Sequence, residues 1–328
     1  MLRTMQTMMA GAGLTLSMLT LSMLALPAHA QTAWPERPVS IIVPAGAGGG
    51  TDQTARMLAE RLHDRFGTPF NVVNQGQGGG VVGINSIMTA KPDGYTIGVI
   101  YNFAHYKPMG QGDFDAANLA PIAQYNFDPA GFHVRSSSEW ASLPDALDAI
   151  KANPGAYSIA CGGGCGGSWP IAIATLFSKT GVDLSEVRMI PGQGAAAALQ
   201  DMVAGGFDVV PSSVPEAGAL IEAGYVRALA VFGNERLAAF PDVPTVSEQI
   251  GQDLNLGAWR GLVGPAGLSD DIVNQLEEAM REIVESEDWR QQMTARGFGI
   301  QWRNTTDFGD FIANEEIGVR QVVKDLGL

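Results

Sequence analysis

Two cysteines and four histidines in 328 residues are too few for a disulfide scaffold or a histidine-rich metal centre. Basic residues are scarce as well. Twenty Lys and Arg stand against 34 Asp and Glu, a formal charge of −14, and the clustered cations that a nucleic-acid surface needs are missing. Charged residues make up only 16% of the chain and hydrophobic ones 46%, a balance that excludes intrinsic disorder and supports a sizeable core. Neither a Gly-x-Ser-x-Gly elbow nor a His-Glu-x-x-His motif occurs. Glycine is what the chain has in plenty, with 41 residues.

The first thirty residues read as an export signal. Arg3 is the last formal charge before Glu36, the run from 11 to 27 is almost wholly apolar, and Ala28-His29-Ala30 forms a small-x-small cleavage site. The chain is therefore expected to be exported and cut after Ala30. A permanent anchor is the alternative, since the run is nearly long enough, but Pro27 breaks it just before the cleavage site. No cysteine stands there to carry a lipid.

Beyond this leader, short Val- and Ile-rich runs alternate with helical patterns. Residues 39–43 read as a buried strand ended by Pro44 and a glycine loop, and over 51–66 Ala55, Leu58, Ala59, Leu62 and Phe66 recur at helical spacing. A strand at 70–73, a glycine loop at 76–83, a helix through Ile84, Ile87 and Met88, and a strand at 95–100 complete the unit. Such alternation implies a parallel sheet with right-handed crossovers. A second series starts near Tyr157, with strands at 157–160, 187–190 and 207–210, the last ended by Pro211. Its helices run through Ile171, Ala174 and Phe177 and over 195–204. Residues 121–134 and 226–232 are extended in character, and amphipathic helices close the chain with Ser269 and Thr305 as N-caps.

Three glycine clusters, at 46–50, 76–83 and 162–167, follow a strand and precede a helix. There the backbone amides of a helix N-terminus point outward with partial positive charge, and glycine lets a ligand approach them. A hydrogen bond to a charged group contributes about 1.5 to 3 kcal/mol, so a few amides can hold a carboxylate without Lys or Arg. The bland alternative is three tight turns. Gly78-x-Gly80-x-x-Gly83 and Gly162-x-Gly164-x-x-Gly167 also match the dinucleotide fingerprint as strings. The first lacks the acid about twenty residues on, whereas the second has Asp183 and Glu186 in range. An exported chain has no ready supply of such a nucleotide, and no cofactor is expected.

Cys161 and Cys165 both lie in the third cluster. Export favours a disulfide between them, which would contribute about 2 kcal/mol for so short a loop; free thiols are the alternative. His63, His105 and His133 lie in no ligand spacing with the pair, so no metal site is expected. Asp52 stands at a helix start, where acids serve as caps more often than as catalysts. Trp169 is the aromatic placed to face a ligand, with core packing as the other reading, and Trp259 reads as structural.

Further landmarks carry a resemblance. They are Trp34-Pro-Glu-Arg-Pro38, the run 44–52 in the form P-x-x-x-G-G-G-T-D, residues 74–83, Lys91-Pro-Asp-Gly-Tyr95, and 192–201 with Gly206-x-Asp208. Ala228-Leu-Ala-Val231, Arg236, Pro241-Asp-Val-Pro-Thr245 and Trp259-Arg-Gly-Leu-Val-Gly-Pro265 extend them. Together they resemble the substrate-binding proteins of tripartite tricarboxylate transporters, the TctC or Bug family. The resemblance implies an α/β, type II-like periplasmic binding protein of the Venus flytrap kind, with two α/β lobes joined by crossing strands. Residues 31–132 and 229–328 would form lobe I and 133–228 lobe II.

It also implies a periplasmic monomer that captures a small carboxylate and delivers it to membrane permease subunits, without chemistry on the ligand. Beside Asp52 and Trp169, the implied ligand contacts are Ala45, Gly48 and Gly49 from the first loop and Gly78, Gly79 and Gly80 from the second. The other lobe would supply Gly167 and Ser168, then Gln193, Gly194 and Ala195, and finally Ser212 and Ser213. This chain has Gly192-Gln193 where many members have Tyr-Lys, Ile171 in place of a His, and Ser212 in place of an Asp. Losing a cation, an imidazole and an acid points to a monocarboxylate or aromatic carboxylate in preference to citrate. The rival readings are a secreted enzyme acting on such a carboxylate and a ligand sensor for signalling.

Overall fold

In the computed structural model, which describes residues 34–326 apart from Asn102, Met109, Gly163, Gly164, Gly166 and Gln193, the run Val-Ser-Ile-Ile-Val becomes strand β1 (Val39–Val43). The side chains of 316–318 and 321–326 are not described, and the leader with its cleavage point after Ala30 lies outside the described residues. β1 is flanked by β2 (Phe70–Asn74) and β3 (Thr96–Ile100), both parallel to it. Being central, β1 is buried at four of five positions, whereas the outer strand β2 has Asn71 and Val73 exposed. Helix α1 (Gly50–Phe66) buries Ala55, Leu58, Ala59 and Leu62 and ends at Gly67, whose φ of 69° only glycine adopts readily. Each such buried leucine contributes about 1.5 to 3 kcal/mol. α2 (Val81–Met88) buries Ile84 and Ile87.

The extended stretch expected at 121–134 is one 17-residue strand, β4 (Leu119–Arg135). Then come α3 (Leu143–Ala152), β5 (Ser158–Gly162), α4 (Ser168–Thr180), β6 (Arg188–Gly192), α5 (Ala195–Val203), β7 (Val210–Ser213), α6 (Gly218–Glu222) and β8 (Val226–Val231). The chain closes with α7 (Val246–Ile250), β9 (Gly257–Pro265), α8 (Asp270–Glu285), α9 (Glu287–Ala295) and α10 (Thr305–Leu326). The main sheet runs β2-β1-β3-β9-β4-β7, with β8 also on β4, and β5 pairs with β6 in parallel. β4 pairs with β9 from Leu119 to Pro129 and with β7 and β8 from Ala130 to Arg135, so a single strand belongs to both halves. β9 pairs antiparallel with β3 and β4, and β4 pairs antiparallel with β7 and β8.

Each half has its own core. Ile42, Ile84, Ile87, Ile100, Trp259 and Phe308 pack in one, and Phe132, Val134, Ile150, Ile173, Phe177 and Phe232 in the other. This is the two-lobed α/β arrangement with crossing strands. Two local expectations fail. Pro211 lies inside β7 and does not end it, because β7 is the last strand of its path and tolerates a missing N–H. The last helix is capped by Asn304, whose Oδ1 accepts from Asp307 N at 2.8 Å; the Thr305 hydroxyl donates instead to Ile122 O at 2.7 Å. Ser269 does stand at the N-cap of α8, but its side chain makes no capping bond.

Candidate functional site

The first glycine loop joins β1 to α1, and its N-cap, Gly49, has no side chain to offer the free amides of the helix. Neighbouring side chains hold the loop instead. Asp52 Oδ2 accepts from Gly48 N at 2.9 Å and Arg56 Nε at 3.1 Å, Gln53 Nε2 donates to Gly48 O at 2.8 Å, and Asn74 Nδ2 donates to Ala45 O at 3.2 Å. Burial pushes the Asp52 carboxyl up, but its bonds from Arg56 and the Gly48 amide outweigh this and hold it below the ordinary carboxylate value.

The second loop stacks on the first. Gly78, Gly79 and Gly80 have φ of 61°, 68° and 99°. A Cβ on Gly76 would lie 2.8 Å from the Ala45 carbonyl carbon, and one on Gly80 2.6 Å from Pro44 O. Glycine here permits backbone-on-backbone contact. Tyr101 and Tyr106 tie the layers together by donating to Pro44 O and Gly79 O, each at 3.0 Å. Burial pushes the Tyr101 hydroxyl up to about 12, so it remains a donor. The third loop is closed covalently by a Cys161–Cys165 disulfide, with Cα atoms 4.7 Å apart, and leads to the Gly167 N-cap of α4.

The first two loops face a cavity of about 80 Å³, room for a few waters or one small organic ion. The first two loops contribute Pro44 to Ala47, Gly49, Gly50, Thr51, Gly76 and Gly79. Across from them stand Trp169 at the start of α4 and residues 194–197 at the start of α5; Tyr101, Glu216, Ala258 and Arg260 complete the wall. The N-termini of α1, α4 and α5 thus converge on one space, and their partial positive charges add there.

Two ionisable side chains of opposite sign lie in this wall. Arg260, on β9, is 1% exposed. Its Nη1 donates to Asn126 Oδ1 and Asp128 Oδ2 and its Nε to Thr51 Oγ1 at 3.1 Å. Nη2 packs beneath Gly50 and has no hydrogen-bond partner among the described residues. Burial disfavours the charge on Arg260, but Asp128 and then Glu216 more than offset it and hold its pKa above the ordinary value. Glu216 follows β7. Its Oε1 accepts from Gly50 N at 2.6 Å, and its Oε2 accepts from Ser213 N at 3.2 Å and Ser213 Oγ at 3.4 Å. Burial pushes its carboxyl up, more than Arg260 and the two amides pull it down.

Residues 54–328 match the tripartite tricarboxylate transporter family receptors, TctC. The chain belongs to the TctC family. It is 28% identical to BugT of Bordetella pertussis over 313 residues, 93% of each chain. A solved TctC solute-binding protein from Polaromonas is 30% identical with a TM-score of 0.65, the match covering 89% of this chain and 99% of that one. MatC from Rhodopseudomonas palustris, solved with bound malate, is 25% identical with a TM-score of 0.81, over 88% and 99% of the two chains. TctC proteins are periplasmic solute-binding proteins by family and fold.

Of the residues expected at the TctC site, Ala45, Gly49, Gly79, Trp169, Gly194 and Ala195 share the cavity wall. Gly48, Asp52, Gly78, Gly80, Gly167, Ser168, Ser212 and Ser213 stand off it, and Gln193 lies outside the described residues. The physical reasons differ. Asp52 is turned back onto its own loop, Gly80 is covered by Tyr106 and Pro44, and Ser212 is fully buried with its hydroxyl on Ser213 O at 3.1 Å. Ser213 is equally buried and acts through Glu216.

Sequence reasoning missed Arg260, Glu216 and Tyr101. One signal was available. Arg260 is the only charged residue in the apolar run 256–268, and a charge inside a buried strand requires partners. Among the described residues no helix is long and apolar enough to cross a membrane, and no group of three or more His, Cys, Asp or Glu forms a metal site.

Proposed function

We propose that this protein is a periplasmic receptor that captures a small carboxylate between its lobes and passes it to the membrane permease subunits of a tripartite tricarboxylate-type transporter. The observation that carries the reading is the convergence of three helix N-termini and the buried Arg260 on one small cavity. The malate bound to MatC supports a carboxylate as the ligand class. In this reading residues 1–30 direct export and are removed after Ala30. Residues 31–132 and 229–328 form lobe I and 133–228 lobe II, and β4 is one of the connections that bend as the lobes close over the ligand. The first-loop amides near Ala45 and Gly49 hold the ligand carboxylate, while Trp169, Gly194 and Ala195 close on the remainder from lobe II.

Mass spectrometry of small molecules released by denaturing the purified protein tests the reading. A carboxylate recovered unchanged, which also raises the melting temperature when added back, is the expected result. Recovery of a converted product would indicate an enzyme, and a released ligand without any acid group would overturn the carboxylate reading.

A further inference from the structure

Glu216 lies 166 residues from Gly50 in sequence, yet its carboxylate takes the Gly50 amide at the α1 N-terminus, one of the donors an incoming anion could use there. Its second oxygen takes the amide and hydroxyl of Ser213. An ionised carboxylate has about four acceptor sites, and protein donors already fill three of these. Glu216 therefore has a single acceptor site left, and it takes the Gly50 amide out of the cavity wall.

The charges point the same way. Among the cavity-lining residues Arg260 is the cation; Asp128 neutralises it from behind, and Glu216 adds a negative charge in front. One guanidinium nitrogen, Nη2, is left to donate. A first ligand carboxylate finds Nη2 and the converging helix starts, whereas a second finds no further cation and a like charge. Trp169, Tyr101 and the alanines at the start of α5 offer the rest of the ligand apolar surface.

We propose that Glu216 is a specificity-determining residue that occupies the second carboxylate position of the site from within the chain, so that Arg260 Nη2 docks a ligand bearing a single carboxylate. The proposal rests on the binding reading above and deepens it. Butyrate, succinate and 4-aminobutyrate share a four-carbon chain and differ only at the far end. Calorimetric titration of the three into the wild-type chain and into Glu216→Ser, each checked for folding by circular dichroism, tests the idea. The wild type should bind butyrate at least ten-fold tighter than succinate. In Glu216→Ser succinate should gain at least ten-fold, with butyrate changed less than three-fold.

Equal affinity of the wild type for butyrate and succinate, or an unchanged ratio in the variant, overturns the proposal. Preference for 4-aminobutyrate that disappears in Glu216→Ser also overturns it, since Glu216 would then be receiving an ammonium. Failure of both folded proteins to bind any of the three or malate would instead count against the carboxylate reading itself, and the proposal would fall with it. Glu216→Gln, which keeps the shape but not the charge, should give succinate a smaller gain than Glu216→Ser.

Discussion

Helices α1 and α4 both begin behind a glycine N-cap with nearly the same backbone angles, φ −75° and ψ 169° at Gly49 against φ −77° and ψ 169° at Gly167, and neither glycine has a side chain to cap with. The loops that deliver them are restrained differently. The α1 loop is held by polar side chains: Asp52 and Gln53 from the helix, Asn74 from β2, and Glu216 from beyond β7. The α4 loop carries a covalent bond, Cys161–Cys165, and the helix behind it buries Trp169, Ile171, Ala172 and Ile173. An open helix N-terminus can thus be set in the same geometry by a web of charged and polar bonds or by a disulfide. The first makes the site sensitive to charge and pH, and the second makes it sensitive to reduction.

The largest effect should come from the charged side. Arg260→Ala leaves Asp128 buried without its partner and removes the support under Gly50 and Thr51, and should cost about 3 to 5 kcal/mol in urea unfolding. A cost below about 1 kcal/mol would mean that the network is not what sets the α1 start. Next is the covalent side. Reduction, or the paired change Cys161→Ser and Cys165→Ser, should cost about 2 kcal/mol by the loop-entropy relation, with Trp169 fluorescence reporting a looser α4 start. An unaltered midpoint would show that packing alone holds that loop.

Asp52→Asn comes third, at about 1.5 kcal/mol for hydrogen bonds to a charged group. The Asp52 carboxyl is held below its ordinary 3.8, so its contribution is present above that pH and lost as pH falls through the folded value. The gap between wild type and Asp52→Asn should therefore close in acid; a gap independent of pH would break the assignment.

The smallest effect concerns Glu216, and its sign is opposite. Its folded pKa is raised above the ordinary 4.5, so the wild type is favoured below that value and loses stability as pH rises through the folded one. Arg260, Asp128, Tyr101 and the amides of Gly50 and Ser213 are the groups around it. Melting temperatures from pH 4 to 7 should shift in favour of Glu216→Gln as pH rises, and a shift the other way would place Glu216 with Asp52.

Much of the fold could be read along the chain because it is set by local pattern. The apolar run of β1, the stripe of α1, and the glycines that follow β1, β2 and β5 each depend on residues within a few positions of one another. Local reasoning failed where a neighbour from elsewhere decided the outcome. Pro211 continues a strand because β4 lies beside it, and Thr305 yields the cap to Asn304 because its hydroxyl finds Ile122 O across the fold.

The sequence by itself determined where helix starts would present bare amides, and it set the two cysteines close enough to close a loop. Tertiary structure alone decided which charges meet those amides. Arg260 reaches Thr51 across 209 residues and Glu216 reaches Gly50 across 166, because β4 and β9 bring the two halves of the sheet side by side. Hydrophobic period and turn chemistry are short-range properties and can be read in a single strand or helix. The pairing of buried charges depends on which elements become neighbours, and no local pattern records that.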